Sequence, residues 1–81
     1  MLKLPKNIIL TDGTIIDSTS CLINFDQGFY WLETKKGTFP IFQLEGHFYS
    51  GVSTVTSNDN PDEPVFLSDE TLKLIKLNDQ N

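Results

Sequence analysis

The sequence predicts a β-rich α+β fold: a five-stranded antiparallel meander curling into a small barrel or half-barrel, plus a short C-terminal helix. Three observations carry this expectation. All five glycines follow a polar residue, and four of these pairs separate runs rich in Ile, Phe, Tyr, Leu and Thr. The runs are short and turn signals recur every ~9–14 residues, the cadence of a small antiparallel sheet. Past residue 64 the pattern changes, and Ser68 followed by Asp69 and Glu70 reads as a helix start.

The elements follow in order. "LTDGTI" is the clearest hairpin signal, an Asp12-Gly13 pair between apolar runs, read as a two-residue turn. "FDQGF" and "TKKGT" fit longer hairpins, a type I turn closed by a left-handed glycine. "LEGH" is the weakest, since glutamate is a poor first residue for a mirror-image turn. Gly13 and Gly28 are expected at positive φ. Gly51 reads as a bulge or a close backbone approach. The strands fall at about 7–11, 14–25, 29–34, 38–44 and 47–56, with a break in the second at Asp17-Ser18-Thr19. Pro40 cannot donate to a ladder, so its strand is bulged, at an edge there, or begins one residue later. Residues 1–81 form a single small domain: the meander over 1–56, an acidic loop over 57–64, a strand or helix segment over 65–78, and a frayed tail over 79–81. A helix is preferred over 69–78, with Leu67 stapling onto Leu72.

Strand alternation places Phe29, Trp31 and Glu33 on one face and Tyr30, Leu32 and Thr34 on the other. In the next strand Phe39 and Ile41 oppose Pro40, Phe42 and Leu44, and then His47 and Tyr49 oppose Phe48 and Val52. Both faces therefore carry large apolar groups. Phe29, Leu32, Phe42, Leu44 and Phe48 are expected in the core, because rings dominate burial in small domains. Tyr30, Trp31 and Tyr49 are the types enriched at interface hot spots and are expected to stay partly exposed as anchors.

Charge narrows the function. Eleven acids face six lysines, a net of −5, and the chain has neither arginine nor alanine. Without the guanidinium fork that grips phosphates and guanine edges, nucleic acid is disfavoured as direct ligand. A composition poor in alanine and arginine and rich in Ile, Asn and Lys is typical of AT-rich coding sequence, as in many bacteria, phages and plasmids. The acid is concentrated: residues 57–81 carry six acids against two lysines, whereas residues 1–56 carry five against four.

Reactive side chains are few. Cys21 and His47 are each the only one of their kind, so no internal disulfide and no four-ligand zinc site can form. Cys21 reads as a small hydrophobe in a strand. Asn58, Asn60, Asp62 and Asp69 echo a calcium loop, but Glu63 holds the position that needs glycine. No catalytic set, metal or cofactor site is expected. The opening "MLKLPKNIIL" has only a three-residue apolar run, so the expectation is a cytoplasmic protein with no membrane contact.

The function these observations favour is a non-enzymatic protein-binding module, an inhibitor or adaptor that occupies the basic surface of a larger protein. Tyr30, Trp31 and Tyr49 would hold the complex, and Asp59, Asp62, Glu63, Asp69 and Glu70 would steer it. Two alternatives remain: a small barrel stacking single-stranded nucleic acid on its rings, and a subunit that assembles with copies of itself through edge strands.

Overall fold

The computed structural model describes residues 2–51, 55–57 and 59–77. It is mainly β, with strands β1 (Leu2–Lys3), β2 (Asn7–Ile9), β3 (Ile15–Asp17), β4 (Leu22–Asp26), β5 (Phe29–Thr34), β6 (Gly37–Leu44) and β7 (His47–Ser50), then helix α1 (Asp69–Leu74) and β8 (Lys76–Leu77). The central sheet is a four-stranded antiparallel meander in the order β4-β5-β6-β7. β2 and β3 form a separate hairpin, and β1 pairs with β8.

The meander thus has four strands instead of five, and the described strands do not close into a barrel. The cause lies at Asp17–Ser20. The expected break in the long second strand is real, and it is a 3-10 turn over Ser18–Ser20. Asp17 caps it, accepting through Oδ1 from the Thr19 amide at 2.9 Å and from the Thr19 hydroxyl at 2.9 Å. The chain changes direction there, so the β2–β3 hairpin leaves the sheet. Ile8, Leu10 and Ile16, all at most 1% exposed, join one core with Leu32, Phe39 and Ile41 from the meander's inner face. β4 is left as an edge strand.

The turns depart from expectation in an instructive way. Gly13 and Gly28 do have positive φ, at 89° and 85°. The longer hairpin, however, is the Asp-Gly one. Leu10 N–H donates to Thr14 O and Gly13 N–H to Leu10 O, both at 2.9 Å, giving a type I turn closed by a left-handed glycine. The two-residue mirror-image turns are Gln27-Gly28 (φ 56° and 85°) and Glu45-Gly46 (φ 54° and 83°). Asp26 pairs with Phe29 and Leu44 with His47, leaving two residues each; Thr34 pairs with Gly37 and also leaves two, but Lys35 and Lys36 keep negative φ.

β6 runs from Gly37 through Leu44 with Pro40 in its middle. Pro40 O accepts from Gly51 N–H at 2.8 Å. In an antiparallel strand the nitrogen of the same residue faces the same side. The reciprocal bond to Gly51 O is the one a proline cannot donate, and the ladder accordingly stops there, with β7 ending at Ser50. Gly51 is a close approach, as a Cβ there would stand 2.9 Å from the Pro40 ring.

The last segment seals the core. Val65 and Leu67 are buried beside the hairpin, and Thr11 N–H donates to Phe66 O while Ser68 N–H donates to Ile9 O, both at 2.9 Å. Ser68 caps α1, accepting from Thr71 N–H at 3.2 Å, with Asp69 and Glu70 in the first turn and Lys73 in the last. Leu67 and Leu72 belong to the same core, consistent with the expected staple. The helix ends at Leu74, and Lys76–Leu77 turn back into a strand. Residues 52–54 of the expected 47–56 strand, Val52 among them, and the expected frayed tail over 79–81 lie outside the described residues. No described helix is long and apolar enough to cross a membrane.

Candidate functional site: an exposed aromatic face

The registers of β4–β7 decide which side chains share the outer face. Asn24 pairs with Trp31 and Trp31 with Pro40, and Asp26 pairs with Phe29. One step beyond the Tyr30–Ile41 pair Phe29 meets Phe42, and Phe42 pairs with Tyr49. Two rows result, Asn24–Trp31–Pro40 and Asp26–Phe29–Phe42–Tyr49.

The rings touch in sequence. Trp31 and Phe29 meet edge-on with centroids 6.3 Å apart, Phe29 and Phe42 edge-on at 6.4 Å, and Phe42 and Tyr49 stack at 5.6 Å. Yet Phe29 is 42% exposed, Phe42 36%, Tyr49 42%, and Leu44 beside them 57%. Aromatic pairs add about 0.5–1.5 kcal/mol each, which orders the ladder without hiding it. A contiguous apolar face of this kind on a small domain marks an interaction site.

Several expectations are corrected here. Of the five expected core residues, only Leu32 is fully buried and Phe48 is half-buried; Phe29, Phe42 and Leu44 are exposed. The physical reason is supply. The β2–β3 hairpin and the C-terminal segment cover the inner face, and the core ring of β6 is Phe39, at 0%. Among the expected anchors, Tyr49 and Trp31 do lie on the outer face. Tyr30 lies on the inner face with Leu32, half-buried against the core and edge-on to Phe25 at 4.8 Å.

The acids divide into groups. Asp59, Asp62 and Glu63 are exposed on a loop tied to the core by Ser57 N–H to Glu63 O and Val65 N–H to Val55 O, both at 2.9 Å. Asp69 and Glu70 are exposed in the first turn of α1. Of these only Asp69 joins an expected anchor: with Tyr49 it lines an open groove of about 630 Å³ between the β6–β7 turn and α1–β8. That groove has an apolar floor of Phe48, Leu72, Ile75 and Leu77, and both signs of charge on its rim. The carboxylates nearest the ladder are ones the sequence reading did not single out, Asp26 and Glu33. They line a shallower depression beside Trp31, and Glu33 accepts a hydrogen bond from the Asn24 amide. Alternation had already put Glu33 with Trp31; the missing step was that this face stays uncovered.

Cys21 and His47 are far apart in the sheet. Cys21 leads into β4 at the Glu33–Thr38 end of the meander, while His47 opens β7 at the other. Burial pushes the Cys21 thiol up from its ordinary pKa, making it a poorer nucleophile. Among the described residues no three His, Cys, Asp or Glu side chains gather as a metal site; Asn58 of the calcium-loop echo lies outside them. No family model, curated protein or solved structure matches the chain.

Proposed function

We propose that this chain is a small, acidic, non-enzymatic protein-binding module, an inhibitor or adaptor that occupies a basic surface of a larger protein. The observation that carries the reading is the ring ladder Trp31–Phe29–Phe42–Tyr49, half-buried at Trp31 and exposed at the other three, on a sheet whose strands hold no lysine. Rings that pack in a fixed row and then lose water on binding supply the affinity, and the net charge of −5 supplies steering toward a positive partner. The arginine- and alanine-free composition fits a phage or mobile-element origin, and hence an antagonist of a host protein that handles nucleic acid.

Single-stranded nucleic acid would also stack on such rings, but it needs a positive groove beside them. At the Trp31 end the flanking charges are Asp26 and Glu33, which repel phosphate, and the groove at the Tyr49 end mixes Lys73 and Lys76 with Asp69.

Affinity capture from host lysate tests the reading, using the parent and the double variant Phe42→Ser, Tyr49→Ser as baits. The expected result is a basic protein retained by the parent and lost by the variant. Identical captures by both, or retention on single-stranded DNA at low salt, overturn it.

A further inference from the structure

We infer that the depression beside Trp31 takes the guanidinium group of an arginine side chain presented by the partner. The inference rests on the docking face proposed above and names the chemistry that face reads. The depression, about 440 Å³, is lined by Asn24, Phe25, Asp26, Trp31, Glu33 and Thr38. It therefore combines one indole, two carboxylates and an amide.

Two hydrogen bonds fix these parts in advance. Trp31 Nε1–H donates to Asp26 O at 3.0 Å, so the indole is held before anything arrives. The Asn24 amide donates to the Glu33 carboxylate and sets its direction, leaving other lone pairs of that group to accept from a ligand. Preorganised groups lose little freedom on binding. Charge complementarity then selects the occupant. Strands β4–β7 carry Asp26 and Glu33 and no lysine, so the local field favours a cation. Among cations a guanidinium fits best. It is planar, stacks on an indole, bonds a carboxylate through two N–H groups at once and is more weakly hydrated than an ammonium.

Trp31 is the only tryptophan, so its fluorescence reports on this place alone. The full chain is titrated with a short Gly/Ser peptide carrying arginines, its lysine and glutamate counterparts, and an oligothymidine. The titrations are run at about 50 mM salt, where the Debye length is roughly 14 Å. The expected result is a saturable emission change with the arginine peptide, at a lower midpoint than with lysine, and none with glutamate or oligothymidine. Glu33→Gln and Asp26→Asn should each raise the arginine midpoint about tenfold, the cost of one charge-assisted hydrogen bond. Both variants keep the Asn24 and Trp31 contacts, so their urea midpoints should match the parent's. No saturable change, equal midpoints for lysine and arginine, tighter binding of the acidic ligands, or indifference to both variants overturns the inference. Capture of a partner that depends on Phe42 and Tyr49 but not on Glu33 would leave the docking face standing and remove the arginine site. Arginine binding without such a partner would do the reverse.

Discussion

Thr71 is 1% exposed and fully partnered. Its hydroxyl accepts from Ile9 N–H at 2.9 Å and donates to Ile9 O at 3.2 Å, closing the edge of β2 against α1. Thr71→Val keeps the shape and orphans the Ile9 N–H, while Ile9 O keeps the Ser68 amide, so it should cost about 1–3 kcal/mol in urea unfolding, and Thr71→Ser much less. The two β6 phenylalanines should separate as sharply. Phe39→Ala should cost about 3–5 kcal/mol and Phe42→Ala about 1–2, since the first opens a cavity in the core and the second loses only two ring contacts on a partly exposed face. The alternation that assigns the two rings to opposite faces was legible in the sequence. Which face the rest of the chain covers was not, because that depends on where the β2–β3 hairpin lands. Asp17 and Asp12 add a pH signature. Hydrogen bonds to backbone and side chain, from Thr19 and Thr14 respectively, hold both carboxyls below the ordinary 3.8. A depressed folded pKa contributes stability above the unfolded value and loses it as pH falls through the folded one. The double variant Asp12→Asn, Asp17→Asn should therefore show a shallower loss of thermal midpoint below about pH 4 than the parent.

Among the elements, the tight turns show best how register overrides local preference. Gln27 (φ 56°) and Glu45 (φ 54°) hold a conformation that non-glycine side chains adopt reluctantly. The flanking pairs Asp26–Phe29 and Leu44–His47 leave two residues, and a glycine as the second of them admits the mirror-image turn that Lys35-Lys36, also two residues long, does not adopt. Asparagine tolerates this region, so Gln27→Asn and Glu45→Asn should each raise the urea midpoint by an amount worth about 0.3–1 kcal/mol. An unchanged or lower midpoint in both would mean the turns relax out of the mirror-image form in solution. The sequence marked where these reversals fall, since four of its five polar-glycine pairs lie at or beside hairpin turns and only Ser50-Gly51 does not. It could not assign loop lengths, because Asp-Gly serves both a two-residue turn and the longer form that Leu10–Thr14 adopts. The break at Ser18–Ser20 was legible for the same reason the turns were: a run of small polar side chains competes with the ladder for backbone hydrogen bonds.

Across the whole molecule, the exposed rings and most of the surplus acid come from different segments of the chain. The core is filled by the inner face of the meander, the β2–β3 hairpin and the last segment, which leaves the ladder outside. Six of the eleven acids lie beyond residue 56, five of them on the 59–63 loop and the first turn of α1. The two sets should therefore control different stages of binding. Replacing Asp59, Asp62, Glu63, Asp69 and Glu70 with their amides takes eleven acids to six against six lysines, a net charge of zero. These side chains are exposed, so the loop changes should be nearly neutral in stability. Asp69 and Glu70 also face the positive end of the helix, so their loss should cost about 0.3–1 kcal/mol each. Against the captured partner at about 50 mM salt, the neutral variant should associate several-fold more slowly, because long-range attraction governs encounter where the Debye length exceeds 10 Å. Its dissociation rate should stay at the parent value, and raising the salt should bring the two association rates together. Phe42→Ala should show the opposite pattern, an unchanged association rate and faster dissociation, because desolvated rings act only once the surfaces have met. Equal association rates for parent and neutral variant at low salt would assign all recognition to the meander and leave the acidic segment as solvated chain.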